Sequence, residues 1–433
     1  MKKLSYLLLL FVFVITTACS EDDSFDEPDP VEETPEEVPE EPEEPTEPEV
    51  PEETPEEGDP QTYAFAPGET RGYIVDGSAS EETVALFYHL KAISDSRFII
   101  GQQDAFNAFY NSDSGESDMK KLTGSDPGML GSDFMFITDD SNNGEAGNWF
   151  YQQEQQITQD AIEAYDKGMV NAFTWHLREP YEGDDFYTSE MTAFQRENAF
   201  RSIMPGGANH DYYREKLQKV AEVVKNLRGS DGTLIPVIFR PFHEFDGDFF
   251  WWGAPYSTPA EFKEVWRFTV TYLRDELDVH NILYAFAPDN SYTSKSAYLS
   301  RYPGDEYVDI LGMDNYGDFS SQSGSGVAAA NQKLKVVSDL AKERNKVAAL
   351  TETGYFVDAQ NPLPSNFYSE NIYNVITESD VNIGFIMFWQ NYADSYTVPV
   401  PGVEGEDDFM EFIEKEEALL LEDLPSLYDM PAN

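Results

Sequence analysis

Eight short, nearly continuous apolar runs constrain the fold of this chain more than any other feature of its sequence. They are residues 98–101, 134–137, 170–176, 235–239, 282–287, 308–313, 347–350 and 385–389. A strand has this composition when both of its faces are buried, as in a parallel sheet covered by helices. Segments with helical spacing lie between the runs, at 213–227, 259–277, 328–342 and 365–376 among others. Eight strands alternating with helices predict an α/β fold, a (β/α)8 or TIM barrel.

An open, doubly wound sheet is the competing architecture for alternating strands and helices. No strand here is followed by a Gly-x-Gly-x-x-Gly turn, which favours the barrel. Thr258 followed by Pro259 is a typical helix start, with an N-cap residue before proline at the first helical position. We find neither an internal repeat nor a second folded domain, and we therefore assign residues 61–433 to one catalytic barrel.

The first residues are typical of a bacterial lipoprotein signal peptide. A basic start precedes the apolar run 7–15, and small residues then lead to Cys19, which is the only cysteine of the chain. We expect residues 1–18 to be removed and Cys19 to be acylated, which anchors the chain in a membrane. The alternative is an ordinary secretory signal whose cleavage site happens to include a cysteine. Ser20–Asp23 also resembles the acidic export signal of surface lipoproteins, so we expect an outer-membrane lipoprotein exposed at the cell surface.

Residues 19–60 have the composition of a linker. Residues 21–60 contain 21 acidic residues, ten prolines and no lysine or arginine. Proline blocks regular structure and like charges repel, which predicts a disordered, extended spacer. The whole chain carries 82 acidic residues against 28 Lys and Arg. This balance excludes nucleic acid as a partner, because a phosphate backbone needs clustered basic side chains.

Two carboxylates at the ends of predicted strands suggest the chemistry. Glu244 follows the fourth strand and Glu352 ends the seventh. In a barrel the carboxyl ends of the strands carry the active site. Hydrolysis of a glycosidic bond needs one carboxylic acid with a raised pKa and a second, ionised carboxylate. The alternative is that both glutamates only stabilise strand ends through salt bridges.

Aromatic and histidine side chains follow the same strand ends. The aromatic residues are Trp175, Phe249, Phe250, Trp251, Trp252, Tyr316 and Trp389. Their flat faces predict a carbohydrate cleft, although core packing is expected for one of the Trp251–Trp252 pair. His176 and His243 suit hydrogen bonding to sugar hydroxyls. Neither histidine has the spacing of a zinc site, and no nucleophile elbow or Walker loop occurs, so we expect no metal and no cofactor.

The stretch Arg240–Gly253, read with Thr351–Gly354, resembles glycoside hydrolase family 26, a clan A family of retaining β-mannanases. The family motif commonly reads Arg-Pro-x-His-Glu-Met-Asn-Gly-x-Trp-Phe-Trp-Trp-Gly. This chain has Phe245 in place of Met, Asp246 in place of Asn and Phe249 in place of Trp. Further matches lie at 101–103, 175–176, 302–305, 312–316 and 387–389, so that the resemblance spans 95–395.

The resemblance implies a role for each matching residue. Glu244 would be the acid/base and Glu352 the nucleophile, with Arg240 orienting the nucleophile and Asp314 supporting that geometry. The residues lining the sugar subsite would be His176, His243, Tyr316 and Trp389. Gln390 follows Trp389 where many mannanases carry arginine, which leaves open whether the enzyme is endo-acting or releases mannobiose.

These observations lead to one hypothesis and its rivals. We expect a monomeric, retaining endo-β-1,4-mannanase that cleaves mannan, glucomannan or galactomannan. A β-1,3-xylanase or a mixed-linkage β-glucanase of the same family is the alternative enzyme. A non-catalytic glycan-binding lipoprotein would explain the anchor, the spacer and the aromatic residues, but not a glutamate at each of two strand ends.

Overall fold

The computed structural model describes residues 66–107 and 116–431. The predicted signal segment 1–18, Cys19 and the linker 19–60 lie outside the described residues. No helix in the described part of the chain is both long enough and apolar enough to cross a membrane.

Eight parallel strands form a closed barrel. They are β1 (Phe98–Gln103), β2 (Met129–Asp133), β3 (Val170–Thr174), β4 (Val237–Arg240), β5 (Ile282–Phe286), β6 (Ile310–Asn315), β7 (Val347–Thr353) and β8 (Phe385–Phe388). Each strand pairs with the next along the chain, and β8 pairs with β1, which in turn pairs with β2. A two-residue strand, β9 (Ala418–Leu419), pairs with the start of β1. The predicted (β/α)8 barrel is confirmed.

Helices surround this barrel. They are α1 (Glu81–Ile93), α2 (Asp118–Thr123), α3 (Met135–Thr138), α4 (Trp149–Lys167), α5 (Ala193–Ile203), α6 (His210–Asn226), α7 (Pro259–Thr271), α8 (Lys295–Tyr298), α9 (Val327–Arg344), α10 (Tyr373–Thr377) and α11 (Glu406–Ile413). A π-helical turn, Tyr272–Glu276, continues α7, and another, Phe367–Ile372, leads into α10. Helix α7 begins after Thr258, as its sequence predicts.

The core has two layers. Inward-facing residues of all eight strands fill the barrel together with Val84, Leu86, Phe87 and Leu90 of α1. Helix α1 precedes β1, so these side chains close the end of the barrel at which the strands begin. A larger apolar layer lies between the strands and the surrounding helices. The polar site is therefore left to the opposite end, where the strands finish.

The second strand was predicted at the wrong place. Residues 134–137 were expected to form it, but β2 is Met129–Asp133 and α3 occupies Met135–Thr138. The run 134–137 is apolar because Phe134 and Ile137 pack in the layer between strands and helices. The true strand contains Gly131, Ser132 and Asp133, which hide its strand character in the sequence. Gly131 lies so close to Gln103 on β1 that a Cβ there would collide with the Gln103 side chain.

Candidate active site

Glu244 lies in the turn that follows β4. Its backbone has a φ of 52°, and Phe242, two residues earlier, has a φ of 50°. Residues other than glycine adopt this left-handed conformation only where the surrounding structure enforces it. Here the N–H of Glu244 donates to the carbonyl of Ala287, just beyond β5, at 2.9 Å. The turn thereby holds Glu244 at the mouth of the barrel.

A β-bulge in β7 directs Glu352 into the same space. Met313 of β6 pairs with Leu350, but the next residue, Asp314, pairs with Glu352, so Thr351 is an extra residue in β7. Ala349 packs inside the barrel and Leu350 outside it, and strict alternation would turn Glu352 outward, towards the helices. The bulge lets both Thr351 and Glu352 face the barrel mouth, as bulges beside active sites commonly do.

Arg240 connects the carboxylates at this mouth. Its guanidinium forms ion pairs with Asp314 of β6 and with Glu352 of β7, each through a separate nitrogen. The hydroxyl of Tyr316 donates to the second oxygen of Glu352 at 2.8 Å, and Thr351 donates to Asp314 at 2.7 Å. Both oxygens of Glu352 therefore accept hydrogen bonds, which fixes the orientation of its carboxylate. Burial alone would lower the pKa of Arg240, but the charges of Asp314 and Glu352 raise it, so the guanidinium stays charged.

Glu244 has the opposite electrostatic character. Burial is the largest cause that raises its pKa well above the usual value, and the negative charges of Glu352, Asp314 and Asp289 raise it further. The charge of Arg240 opposes this shift without reversing it. Glu244 is therefore held in its protonated form, as a general acid requires.

The two predicted histidines lie side by side. Their rings are 4.6 Å apart in an edge-to-face arrangement. Nδ1 of His243 is 3.2 Å from the hydroxyl of Thr174, and its buried Nε2 has no hydrogen-bond partner in the described structure. Burial, followed by the charge of Arg240, lowers the pKa of His243 well below its usual value, so this ring is neutral. Nδ1 of His176 is 2.5 Å from a carboxylate oxygen of Asp133.

Half-buried side chains form the rim of this site. Tyr316, Trp389, Gln390 and Phe249 are all only partly covered by protein. Trp389 lies 6.0 Å from the ring of His176, and its indole N–H donates to Tyr392 at 3.0 Å. A ligand can reach all four of these predicted residues.

Trp175 and Trp251 are not part of that rim, and predicting them as sugar-binding residues was wrong. Both are almost fully buried, at 1% and 0% exposure. Trp175 follows the inward-facing Thr174 and so points outward, where its indole donates to Thr138 at 2.9 Å. The indole of Trp251 donates to the carbonyl of Leu177 at 2.8 Å. Trp252 is buried as well, so both tryptophans of the pair belong to the core.

The sequence did not reveal four residues at or beside the site. These are Asp133, Tyr187, Phe356 and Tyr392. Tyr187 stacks on Phe250 at 5.4 Å because its backbone pairs with that residue across two loops. Phe356 stacks on Tyr316 at 5.8 Å and lies 6.1 Å from Tyr392. All but Asp133 lie in irregular loops, where no periodicity identifies the facing partner.

Asp246 replaces the asparagine that is usual in the family motif. One of its carboxylate oxygens accepts the N–H of Asp289 at 2.6 Å, and the other accepts that of Ser291 at 3.2 Å. Burial, followed by the charge of Asp289, raises the pKa of Asp246 to about 7. Near neutral pH this carboxyl is thus protonated in much of the protein, which brings its charge closer to that of an asparagine amide.

Residues 75–395 match the sequence model of a family described as glycosyl hydrolase family 26. The chain belongs to this family. The match of the family 26 model includes all eight strands of the barrel and both candidate carboxylates, Glu244 and Glu352. The matched range ends where the resemblance seen in the sequence ends, at residue 395, and begins 20 residues before it.

Individual proteins are similar to this chain in sequence or in structure. A mannan endo-1,4-beta-mannosidase of Bifidobacterium adolescentis is 33% identical over 362 residues, which are 80% of this chain and 35% of that protein. The chain thus spans well under half the length of this curated relative. The structure of GH26C from Muricauda sp. MAR_2010_75 is 60% identical with a TM-score of 0.85, covering 85% of this chain and 99% of that one. A modular endo-beta-1,4-mannanase from Cellulomonas fimi is 31% identical with a TM-score of 0.75, covering 82% and 79%.

Proposed function

We propose that this family 26 member is a retaining endo-β-1,4-mannanase acting on mannan, glucomannan or galactomannan. The observation that carries the proposal is the difference between its two glutamates. Glu352 is held by Arg240 and Tyr316 through both oxygens, whereas Glu244 is buried with a raised pKa. A glycosidase needs this combination of a fixed nucleophile and a proton donor. The similarity to the mannanases of Bifidobacterium adolescentis and Cellulomonas fimi supports the choice of substrate.

The reaction follows from these roles. The protonated carboxyl of Glu244 donates its proton to the glycosidic oxygen while a carboxylate oxygen of Glu352 attacks the anomeric carbon. The bond to the leaving sugar breaks, and the sugar is left as an ester of Glu352. Glu244, now ionised, then removes a proton from water, and the resulting hydroxide displaces Glu352. Two inversions give a product of retained configuration.

The surrounding side chains would bind the sugar that is cleaved. His243 is neutral and fully buried, so it would lie beneath the sugar and support the ring of His176 without adding charge. The rings of Trp389 and Tyr316 offer partly exposed faces on which the apolar face of a sugar can stack. Gln390, next to Trp389, and Phe249, whose ring lies 4.7 Å from that of Phe250, would contact neighbouring sugars.

A substrate panel tests the proposal against its rivals. The purified protein is incubated with β-1,4-mannan, β-1,3-xylan and a mixed-linkage β-glucan, and products are measured by chromatography over time. We expect a mixture of manno-oligosaccharides from mannan and little release from the other two. Rapid cleavage of the xylan or the glucan would favour the alternative enzymes. Binding to mannan without any hydrolysis would favour the non-catalytic glycan-binding lipoprotein.

We further propose that the chain acts as a monomer at the cell surface, anchored in the outer membrane through acylated Cys19. Polymeric mannan is too large to cross that membrane, so an enzyme that cuts it benefits from facing the medium. The support is the order of segments in the sequence: a signal, a lone cysteine, four residues including three acids, and a long Pro/Glu spacer.

A further inference from the structure

Asp133 connects the end of β2 to one histidine of the candidate site. It pairs with Thr174 across the two neighbouring strands, and His176 follows Thr174 by two residues. Oδ1 of Asp133 accepts the backbone N–H of His176 at 3.1 Å and that of Met135 at 2.8 Å. Oδ2 lies 2.5 Å from Nδ1 of His176. One carboxylate therefore fixes both the backbone and the ring of His176.

The bond to Oδ2 decides which ring nitrogen of His176 carries the proton. A carboxylate without a proton only accepts hydrogen bonds, so Nδ1 is the donor to it, and whenever the ring is neutral its lone pair lies on Nε2. In the described structure Nε2 has no protein hydrogen-bond partner. The ring cannot easily turn over, because four other rings enclose it at centroid distances between 4.6 and 6.0 Å: Phe186, His243, Phe250 and Trp389.

We propose that Asp133 is a positioning residue that holds His176 in the Nδ1–H tautomer, so that Nε2 accepts a hydrogen bond from a hydroxyl of the bound sugar. The statement about the sugar rests on the proposed function, whereas the statement about the tautomer does not. A matching sugar hydroxyl must then donate to His176, which constrains the orientation of that hydroxyl and contributes to sugar selection.

Asp133→Asn tests the proposal because the backbone N–H groups of His176 and Met135 determine which way the asparagine amide is oriented. The Oδ1 position faces two backbone N–H groups, so the carbonyl oxygen of asparagine takes that place. The NH2 group then faces Nδ1 of His176, which must become the acceptor. The proton moves to Nε2, which turns the acceptor offered to the sugar into a donor. An asparagine at the corresponding place in other His–Asp pairs reverses the tautomer in this way.

Nitrogen NMR of the histidine rings measures the tautomer without any substrate. The protein has five histidines, and His176→Gln identifies the signals of His176. The spectra are recorded at alkaline pH, where histidine rings are neutral. We expect a protonated Nδ1 and an unprotonated Nε2 in the wild type and the reverse in Asp133→Asn. The control is Asp139→Asn, since Asp139 follows α3, accepts the N–H of Ser141 at 2.8 Å and that of the Arg178 side chain at 3.0 Å, and does not contact His176. This control should leave the tautomer unchanged.

Kinetics on mannan then connect the tautomer to function. We expect Asp133→Asn to lower kcat/KM by about ten- to a hundredfold. The sugar hydroxyl that donates to Nε2 of His176 in the wild type would face an N–H donor in this variant. When His176 is already replaced by alanine, adding Asp133→Asn should not lower kcat/KM further. An unchanged tautomer in Asp133→Asn would overturn the proposal. So would an equal drop in kcat/KM when Asp133→Asn is added to His176→Ala. A wild-type protein with the expected tautomer but no activity on mannan would instead overturn the proposed function.

Discussion

At the scale of single residues, the site separates two chemically identical side chains by their surroundings. Glu352 has both oxygens bonded, one to Arg240 and one to Tyr316, whereas burial and nearby negative charge keep Glu244 protonated. The sequence indicated this pair because each glutamate stands at a strand end, and the family resemblance implied the role of Arg240. It did not indicate Asp133, since no sequence pattern tells which carboxylate will meet a histidine that follows the neighbouring strand.

Glu244→Ala and Glu352→Ala should each abolish most turnover while the fold is retained. Loss of general acid help alone costs about 10²–10⁴-fold in rate. With an activated aryl substrate, azide should rescue Glu352→Ala with an inverted product and Glu244→Ala with a retained one, as NMR of the glycosyl azide would reveal. Glu343→Ala is the matched control, because Glu343 lies on α9 paired with Lys295. Near-normal activity of either site variant on polymer would refute the assignment.

The pH–rate profile should fall on its alkaline side as Glu244 loses its proton. Because the pKa of Glu244 is raised, the active protonated form persists above the usual glutamate range and is lost only at higher pH. Asp289 is one of the charges that raise this pKa. Asp289→Asn should therefore move the alkaline limb to lower pH, by roughly half a unit to one unit. A limb that stays in place would show that Asp289 does not act on Glu244.

At the scale of secondary-structure elements, the sequence predicted seven of the eight strands near their observed positions. It failed at β2, where Gly131, Ser132 and Asp133 mask a strand and the following apolar run forms a short helix. It also could not predict the bulge at Thr351, which depends on pairing with both β6 and β8. Apolar patterns report burial, whereas strand register and bulges are decided by partners that are distant in sequence.

Helix α7 offers a prediction about stability. The hydroxyl of Thr258 accepts the N–H of Glu261 at 3.2 Å, and the Glu261 carboxylate accepts the N–H of Thr258 at 2.7 Å. Thr258→Ala removes one half of this capping box and should cost about 1 kcal/mol. Calorimetry should then detect a thermal midpoint lower by about 1–3 °C with activity unchanged. Thr271→Ala, at the end of the same helix, is the control and should not lower the midpoint, because alanine favours helix.

At the scale of the whole molecule, the proposal is that the segments before the barrel determine where it acts. If acyl chains on Cys19 are the anchor, Cys19→Ala should release active enzyme into soluble fractions with unchanged turnover on a soluble substrate. Neutral residues in place of Ser20–Asp23 should instead leave the enzyme membrane-bound but hidden from added protease. Cell fractionation and protease treatment of intact cells distinguish these cases. Wild-type protein that is already protected from protease would place the enzyme in the periplasm.

The measurement that tests the central claim most directly is chemical trapping of the nucleophile. A 2-deoxy-2-fluoro-β-mannosyl fluoride slows both steps of a retaining mechanism, but its good leaving group lets the first step proceed, so the glycosyl ester accumulates. Mass spectrometry of the digested protein should find one fluorinated glycosyl group on the peptide that carries Glu352 and none in Glu352→Ala. Label on a different residue, or no label in an enzyme that still hydrolyses mannan, would contradict the account.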